Sequence, residues 1–158
     1  MWFYEDMPFG RRHELGETAV TAEAIVRFAR DYDPQPFHLS EEAGRASHFG
    51  GLVASGWHTA ALSMRAFADF LDRLAAEMRG RGEPVAEIGP SPGFEDMRWP
   101  KPVRAGDRLA FAMTPLEGRP LASRAGWALV TFETTATDQH GDLVMSYRGK
   151  VFVRRRED

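Results

Sequence analysis

Phe28-Ala29-Arg30-Asp31-Tyr32-Asp33-Pro34-Gln35-Pro36-Phe37-His38 closes one kind of structure and opens another. Upstream of Asp33, the residues Ile25, Phe28, Ala29 and Tyr32 recur at i, i+3, i+4 and i+7, the spacing of one buried helix face. Thr21 offers that helix an N-cap, and Glu23 puts a negative charge in its first turn, where the helix dipole favours it. Pro34 and Pro36 each disfavour helix in the residue before them, so the helix is predicted to stop near Asp33. Residues 33–38 then read as a stiff, extended turn, because proline fixes its own φ and lacks a donor. An acid and an imidazole sit five residues apart on this braced segment. Such bracing suits catalysis, in which misplacement by about 1 Å can cost on the order of a hundredfold in rate. Taken alone, the same residues also describe an Asp-Pro turn beside a hydrogen-bonded structural histidine, which is the commoner arrangement.

Outward from this segment the chain alternates between periodicities. His13–Ala19 reads as a short first strand, and Ser40 as the cap of a short helix carrying Glu41, Glu42 and Ala43. Gly50 and Gly51 break the chain, and Gly56 opens a long helix predicted to run to about Arg79. Its stripe is Met64, Phe67, Ala68, Leu71, Leu74 and Met78, while Asp69, Asp72, Arg73 and Glu77 face solvent. The stretch Thr59–Met64 is small and apolar nearly all round, and a helix of that kind is expected to be enclosed. Residues 80–94 are rich in Gly and Pro and read as a loop. Beyond them Leu109, Phe111 and Met113 alternate with smaller residues. Trp127–Thr137 and Leu143–Val153 flank a Gln139–Asp142 turn as a long hairpin. This order implies an α+β fold, an antiparallel sheet with its helices on one face.

Composition sets the outer bounds. The 158 residues, 43% hydrophobic and 27% charged, suit one domain over 1–158 that folds without a metal or disulfides. The absence of cysteine excludes disulfides, thiolate zinc sites and a cysteine nucleophile. The net charge of −3 does not suggest nucleic acid. The first residues lack the pattern of a signal peptide, and no stretch reaches the roughly 20 apolar residues of a membrane span. The expectation is a soluble, cytoplasmic protein without membrane or nucleic-acid partners. The Arg154-Arg155-Arg156 run is expected to be a solvated tail end. No histidine spacing suggests a metal site, and His58 is expected to be a structural hydrogen-bonder. A G-x-S-x-G nucleophile elbow is absent, since Ser55 has no glycine two places before it.

The turn resembles the signature of the MaoC-like (R)-hydratases, in outline Asp-x-Asn-Pro-aliphatic-His, with Asp33, Pro36 and His38 matching in type and spacing. Gly56, eighteen residues after His38, resembles the family's glycine at the start of the central helix. Arg98–Asp107, with Pro102-Val103 and Gly106-Asp107, resembles its strand-turn-strand. The resemblance covers nearly the whole chain. It departs at Gln35, where Asn is usual, at the bulky Tyr32 and Phe37, and at Met64, where some hydratases have a serine.

The resemblance implies a hotdog fold, with the sheet wrapped around a central helix at about 57–79, and a homodimer or higher homo-oligomer. It implies a hydro-lyase on enoyl or 3-hydroxyacyl thioesters of CoA or a carrier protein, in fatty acid metabolism, with Asp33 and His38 catalytic and no cofactor. The Gly56 N–H, at a helix N-terminus, is expected to serve the oxyanion. Ser55, Trp57 and Gln35 are expected beside the substrate, with Trp57 as wall. Ala60, Ala61, Phe67 and Phe70 are candidates for an acyl tunnel. A hotdog thioesterase and a non-catalytic acyl-CoA-binding subunit are the alternatives.

Overall fold

The Thr21 hydroxyl accepts the Ala24 N–H at 3.1 Å, satisfying one of the donors that a helix start leaves bare. In the computed structural model, which describes residues 1–156, the helix that follows is α1, Ala22–Tyr32, with Ile25 and Ala29 fully buried. Tyr32 departs from the expected buried face and is 73% exposed. It is the last residue of α1, where the chain turns away, and its ring leans on Phe28 at 4.9 Å instead of entering the core.

The turn over 33–38 also needs correction. Gln35 is extended, but Pro36 opens a one-turn helix, α2, Pro36–Leu39. Proline lacks an N–H that the first helical position does not need, so it starts a helix as readily as it ends one. Ser40 caps α3, Glu41–Ala46, by accepting the Ala43 N–H at 3.1 Å. A Cβ on Gly44 would lie 2.3 Å from the Gly51 carbonyl carbon, so only glycine lets α3 press directly onto the 51–52 backbone.

The sheet comprises β1 (His13–Ala19), β2 (Gly93–Arg98), β3 (Arg108–Pro120), β4 (Trp127–Thr137) and β5 (Leu143–Arg154). The spatial order is β1-β3-β4-β5-β2, with every neighbouring pair antiparallel. The predicted β4–β5 hairpin is present. β2 begins inside the stretch expected as loop: it is an edge strand, mostly exposed, whose sequence carries no alternation to reveal it. Of Arg98–Asp107, expected as strand-turn-strand, Arg98 ends β2, and the rest crosses to β3, touching strand geometry only where Arg104 bridges Val53.

The long helix α4, Gly56–Gly80, lies across the sheet and buries Thr59, Ser63, Ala66, Phe67, Leu74 and Met78. Phe67 stacks on Phe132 of β4 at 5.4 Å. Arg73 donates to the Leu15 carbonyl at 2.7 Å and ties α4 to β1. The Thr59–Met64 stretch is not enclosed all round: Ala61 is exposed, as are Met64 (54%) and Ala68. The sheet covers one helix face only. The Ser63 hydroxyl can join that face because it bonds back to the Ala60 carbonyl at 2.8 Å.

The arginine run is not a free tail. Arg155 Nε and the Arg156 N–H both donate to Glu5, at 3.0 Å each, and Arg156 also reaches Asp6 and lies over Phe3. Arg155 and Arg156 thus clasp the 3-10 turn at Tyr4–Asp6.

Lys101, in the 99–107 crossing, donates to Asp138 at 2.8 Å and to Asp142 at 2.6 Å, both at the β4–β5 turn. Its ammonium, with the N–H groups of His140 and Asp142, holds the buried Asp138 carboxyl at about 2. This lies below the ordinary aspartate value of about 3.9, so the stabilisation is complete above roughly pH 4 and lost as pH falls through about 2. Asp138→Asn is expected to lower stability to urea at pH 7. The gap from the unmodified protein should close as pH is lowered toward 2; a gap independent of pH would refute this account.

Candidate active site

Val53 connects the elements that carry the site. Its N–H donates to the Phe37 carbonyl at 3.2 Å, and the neighbouring Ala54 N–H donates to Val103 at 2.8 Å. Its own carbonyl accepts from His38 Nδ1 at 2.7 Å. A carbonyl has no proton to give, so Nδ1 carries the hydrogen, and in neutral His38 the lone pair lies on Nε2. Nε2 faces Asp33 Oδ2 at 3.5 Å. The imidazole is buried, and the carboxylate retains partial exposure.

Asp33 reaches this position because α1 ends at Tyr32, and His38 because α2 turns it back by one helical turn. The Ser55 hydroxyl, buried at the mouth of α4, donates to the same Asp33 Oδ2 at 2.6 Å. Ser55 Oγ also accepts the Trp57 N–H at 3.2 Å, as an N-cap does. The arrangement presents two acceptors, Nε2 and Oδ2, to one point of a cleft.

That cleft has a volume of about 430 Å³. Its polar lining is Asp33, His38, Ser55, Thr59 and Lys101, with the backbone of Gly56. Its apolar walls include Phe37, Phe49, Val53, Trp57, Trp99, Val103 and Val144. The first turn of α4 uses most of its free donors internally: the His58 and Thr59 N–H groups both go to the Ser55 carbonyl, at 3.0 and 3.2 Å. Among the described residues the Gly56 N–H has no such acceptor. Packing also requires glycine here. A Cβ on Gly56 would lie 2.7 Å from the Trp99 indole, so the absent side chain makes room for Trp99. Trp99 also meets Trp57 edge-on at 5.4 Å.

Of the residues singled out from sequence, Asp33, His38, Ser55, Gly56 and Trp57 come together around the cleft. Gln35 does not: it is exposed, outside the cleft walls, and contributes its backbone carbonyl to the His38 N–H at 2.9 Å. Ala60, Ala61, Phe67 and Phe70 also lie outside the walls. Phe67 is committed to the core, and Phe70 packs on Trp2 and His13. Trp99, Val103 and Val144 were not foreseen as walls. Trp99-Pro100-Lys101-Pro102 repeats the proline bracing of residues 33–38, and that was the available signal.

His58 corrects the expectation of a structural hydrogen-bonder. Its Nδ1 is buried without a partner, and the ring stacks on Phe28 at 4.8 Å with 13° between planes. Burial, helped by the nearby Arg27 charge, pushes its pKa below the usual histidine value and favours the neutral ring. Among the described residues no group of His, Asp and Glu is placed to hold a metal ion. No helix among them is long and apolar enough to cross a membrane.

The profile of the MaoC like domain family matches residues 7–133, and the chain belongs to that family. A MaoC-like dehydratase from Rhodospirillum rubrum is 42% identical and superposes with a TM-score of 0.81, each chain covered in full. The R-hydratase PhaJ1 from Pseudomonas aeruginosa shares the fold at 19% identity and a TM-score of 0.66, over 98% of this chain and 86% of that one. Among curated proteins, the uncharacterised YdeM of Bacillus subtilis (strain 168) is 25% identical over 130 residues, covering 82% of this chain and 84% of its own. The sheet and α4 are those of the hotdog fold of MaoC-like dehydratases.

Gly56→Ala is expected to cost about 1–3 kcal/mol by overpacking against Trp99. In a Trp99→Ala background the same change should cost less than about 0.5 kcal/mol, because the added methyl then meets space. Equal costs in the two backgrounds, measured by denaturant unfolding, would disprove the packing role of Gly56.

Proposed function

We propose that the protein is a hydro-lyase that adds water to an enoyl thioester of CoA or a carrier protein, or removes it from the 3-hydroxyacyl thioester. The observation that carries this reading is the convergence of His38 Nε2 and Asp33 Oδ2, 3.5 Å apart, in the polar lining of a cleft with apolar walls.

A water held there donates one hydrogen to each acceptor. Because Nδ1 is committed to Val53, Nε2 is free to take a proton, and His38 acts as the general base. The water oxygen bonds to the β-carbon as its proton passes to Nε2. The electron pair of the double bond moves toward the thioester, placing negative charge on its oxygen. The Gly56 N–H, at the positive end of α4, stabilises that charge. The imidazolium then returns its proton to the α-carbon, and the sum is one water added. Asp33 holds the second hydrogen of the water and faces the imidazolium charge while it exists. Trp57, Trp99 and the aliphatic walls shelter the acyl part from bulk water.

Pairing with a second copy is part of this proposal. Among the described residues β2 ends the sheet with no strand beyond it, and that open edge supports a homodimer or larger homo-oligomer.

The test is the loss of enoyl-thioester absorbance when purified protein meets crotonyl-CoA and longer enoyl-CoAs. Asp33→Asn and His38→Ala are each expected to lower kcat by about 10²- to 10⁴-fold with unfolding midpoints little changed. Near-normal turnover in both variants would sink the assignment, and release of free thiol without hydration would make the protein a thioesterase.

A further inference from the structure

Ser55 was expected to touch substrate, but its hydroxyl is spent elsewhere. It is 1% exposed, its hydrogen goes to Asp33 Oδ2 at 2.6 Å, and its oxygen accepts the Trp57 N–H at 3.2 Å. We infer that Ser55 is a positioning residue that acts through Asp33, resting on the hydration reading above. Asp33 needs such a guide. It follows the last residue of α1, its backbone lies outside helical geometry, and the next residue is a proline, so no regular element holds its side chain.

A carboxylate rotates about its terminal bond with little resistance. Without the Ser55 donor, no other hydrogen bond among the described residues chooses which Asp33 oxygen faces His38. The Ser55 hydroxyl makes that choice. It grips Oδ2, the atom 3.5 Å from Nε2, and it does so from the N-cap of α4. The oxygen that steadies the water and the N–H assigned to the oxyanion are therefore set by adjacent residues, Ser55 and Gly56. A shift of the helix mouth would carry both together, preserving their spacing across the two carbons that react. Ser55 itself makes no bond to a reacting atom in this scheme.

Ser55→Ala removes both the grip and the cap, whereas Ser55→Gly removes the grip but keeps most of the cap, because glycine caps helices far better than alanine. Both variants are expected to lose about 10- to 100-fold in kcat with KM within about twofold, although their melting temperatures differ. Ser55→Thr, which retains the hydroxyl, is expected to recover most of the rate. A kcat within twofold of the unmodified enzyme in Ser55→Gly would overturn the proposal. So would a loss confined to KM, which would make Ser55 a substrate contact. Crystal structures of the unmodified protein and Ser55→Gly supply a readout independent of activity. Rotation of the Asp33 carboxylate away from Nε2 in the variant supports the role, and an unmoved carboxylate overturns it. If the unmodified protein hydrates no enoyl thioester, the hydration reading fails and the crystallographic comparison alone decides the hold on Asp33.

Discussion

The hydrogen bond from His38 Nδ1 to the Val53 carbonyl, 2.7 Å long, is the constraint on which the site depends. It sets which nitrogen of the ring carries the proton and aims the other at Asp33. Val53 can do this because its own backbone is tied on both sides: its N–H to Phe37, and the Ala54 N–H to Val103. The 51–53 segment is thus sewn to α2 on one side and to the 99–107 crossing on the other. Gly44, by allowing α3 to lie directly on Gly51, removes its remaining freedom. A backbone carbonyl makes a good anchor for an imidazole because, unlike a carboxylate, it cannot itself take the proton.

The same economy recurs around the mouth of α4. Four donors begin that helix, and Ser55 accounts for three of them with one carbonyl and one hydroxyl oxygen. The N–H left over belongs to Gly56, beside the indole of Trp99. Lys101, two residues beyond Trp99, bonds to Asp138 and Asp142 and fixes the crossing segment to the sheet. The aromatic wall is therefore held by electrostatics at a distance as well as by contact. A solvated lysine is a weak fastener, but one shared between two carboxylates, one of them buried, is better placed.

The candidate site was legible in the sequence through residue order and the family resemblance together. Proline geometry marks residues 33–38 as a rigid turn without any tertiary partner, but the resemblance to the MaoC-like signature is what singles out Asp33 and His38 as a pair. The bare donors of a helix start allow a ligand role for Gly56 as readily as a packing role, and the resemblance to the family's helix-opening glycine favours the first. Gln35 misled because its likeness to the family's asparagine is chemical, while its direction is set by where α2 begins. Trp99 and Val144 escaped notice because they reach the cleft from strands and crossings far away in sequence. Tyr32 and Met64 carried the right period but the wrong exposure, since periodicity shows which residues share a face and not what covers it.

Sequence by itself determined the helices at Ala22–Tyr32 and Gly56–Gly80, the β4–β5 hairpin and the α+β class. These follow from capping, hydrophobic period and proline geometry, all interactions between near neighbours. Only the tertiary structure decided the tautomer of His38, the grip of Ser55 on Asp33, the edge strand Gly93–Arg98 and the Trp99 wall. Each of these joins residues well separated along the chain, and no preference between near neighbours encodes a contact of that kind.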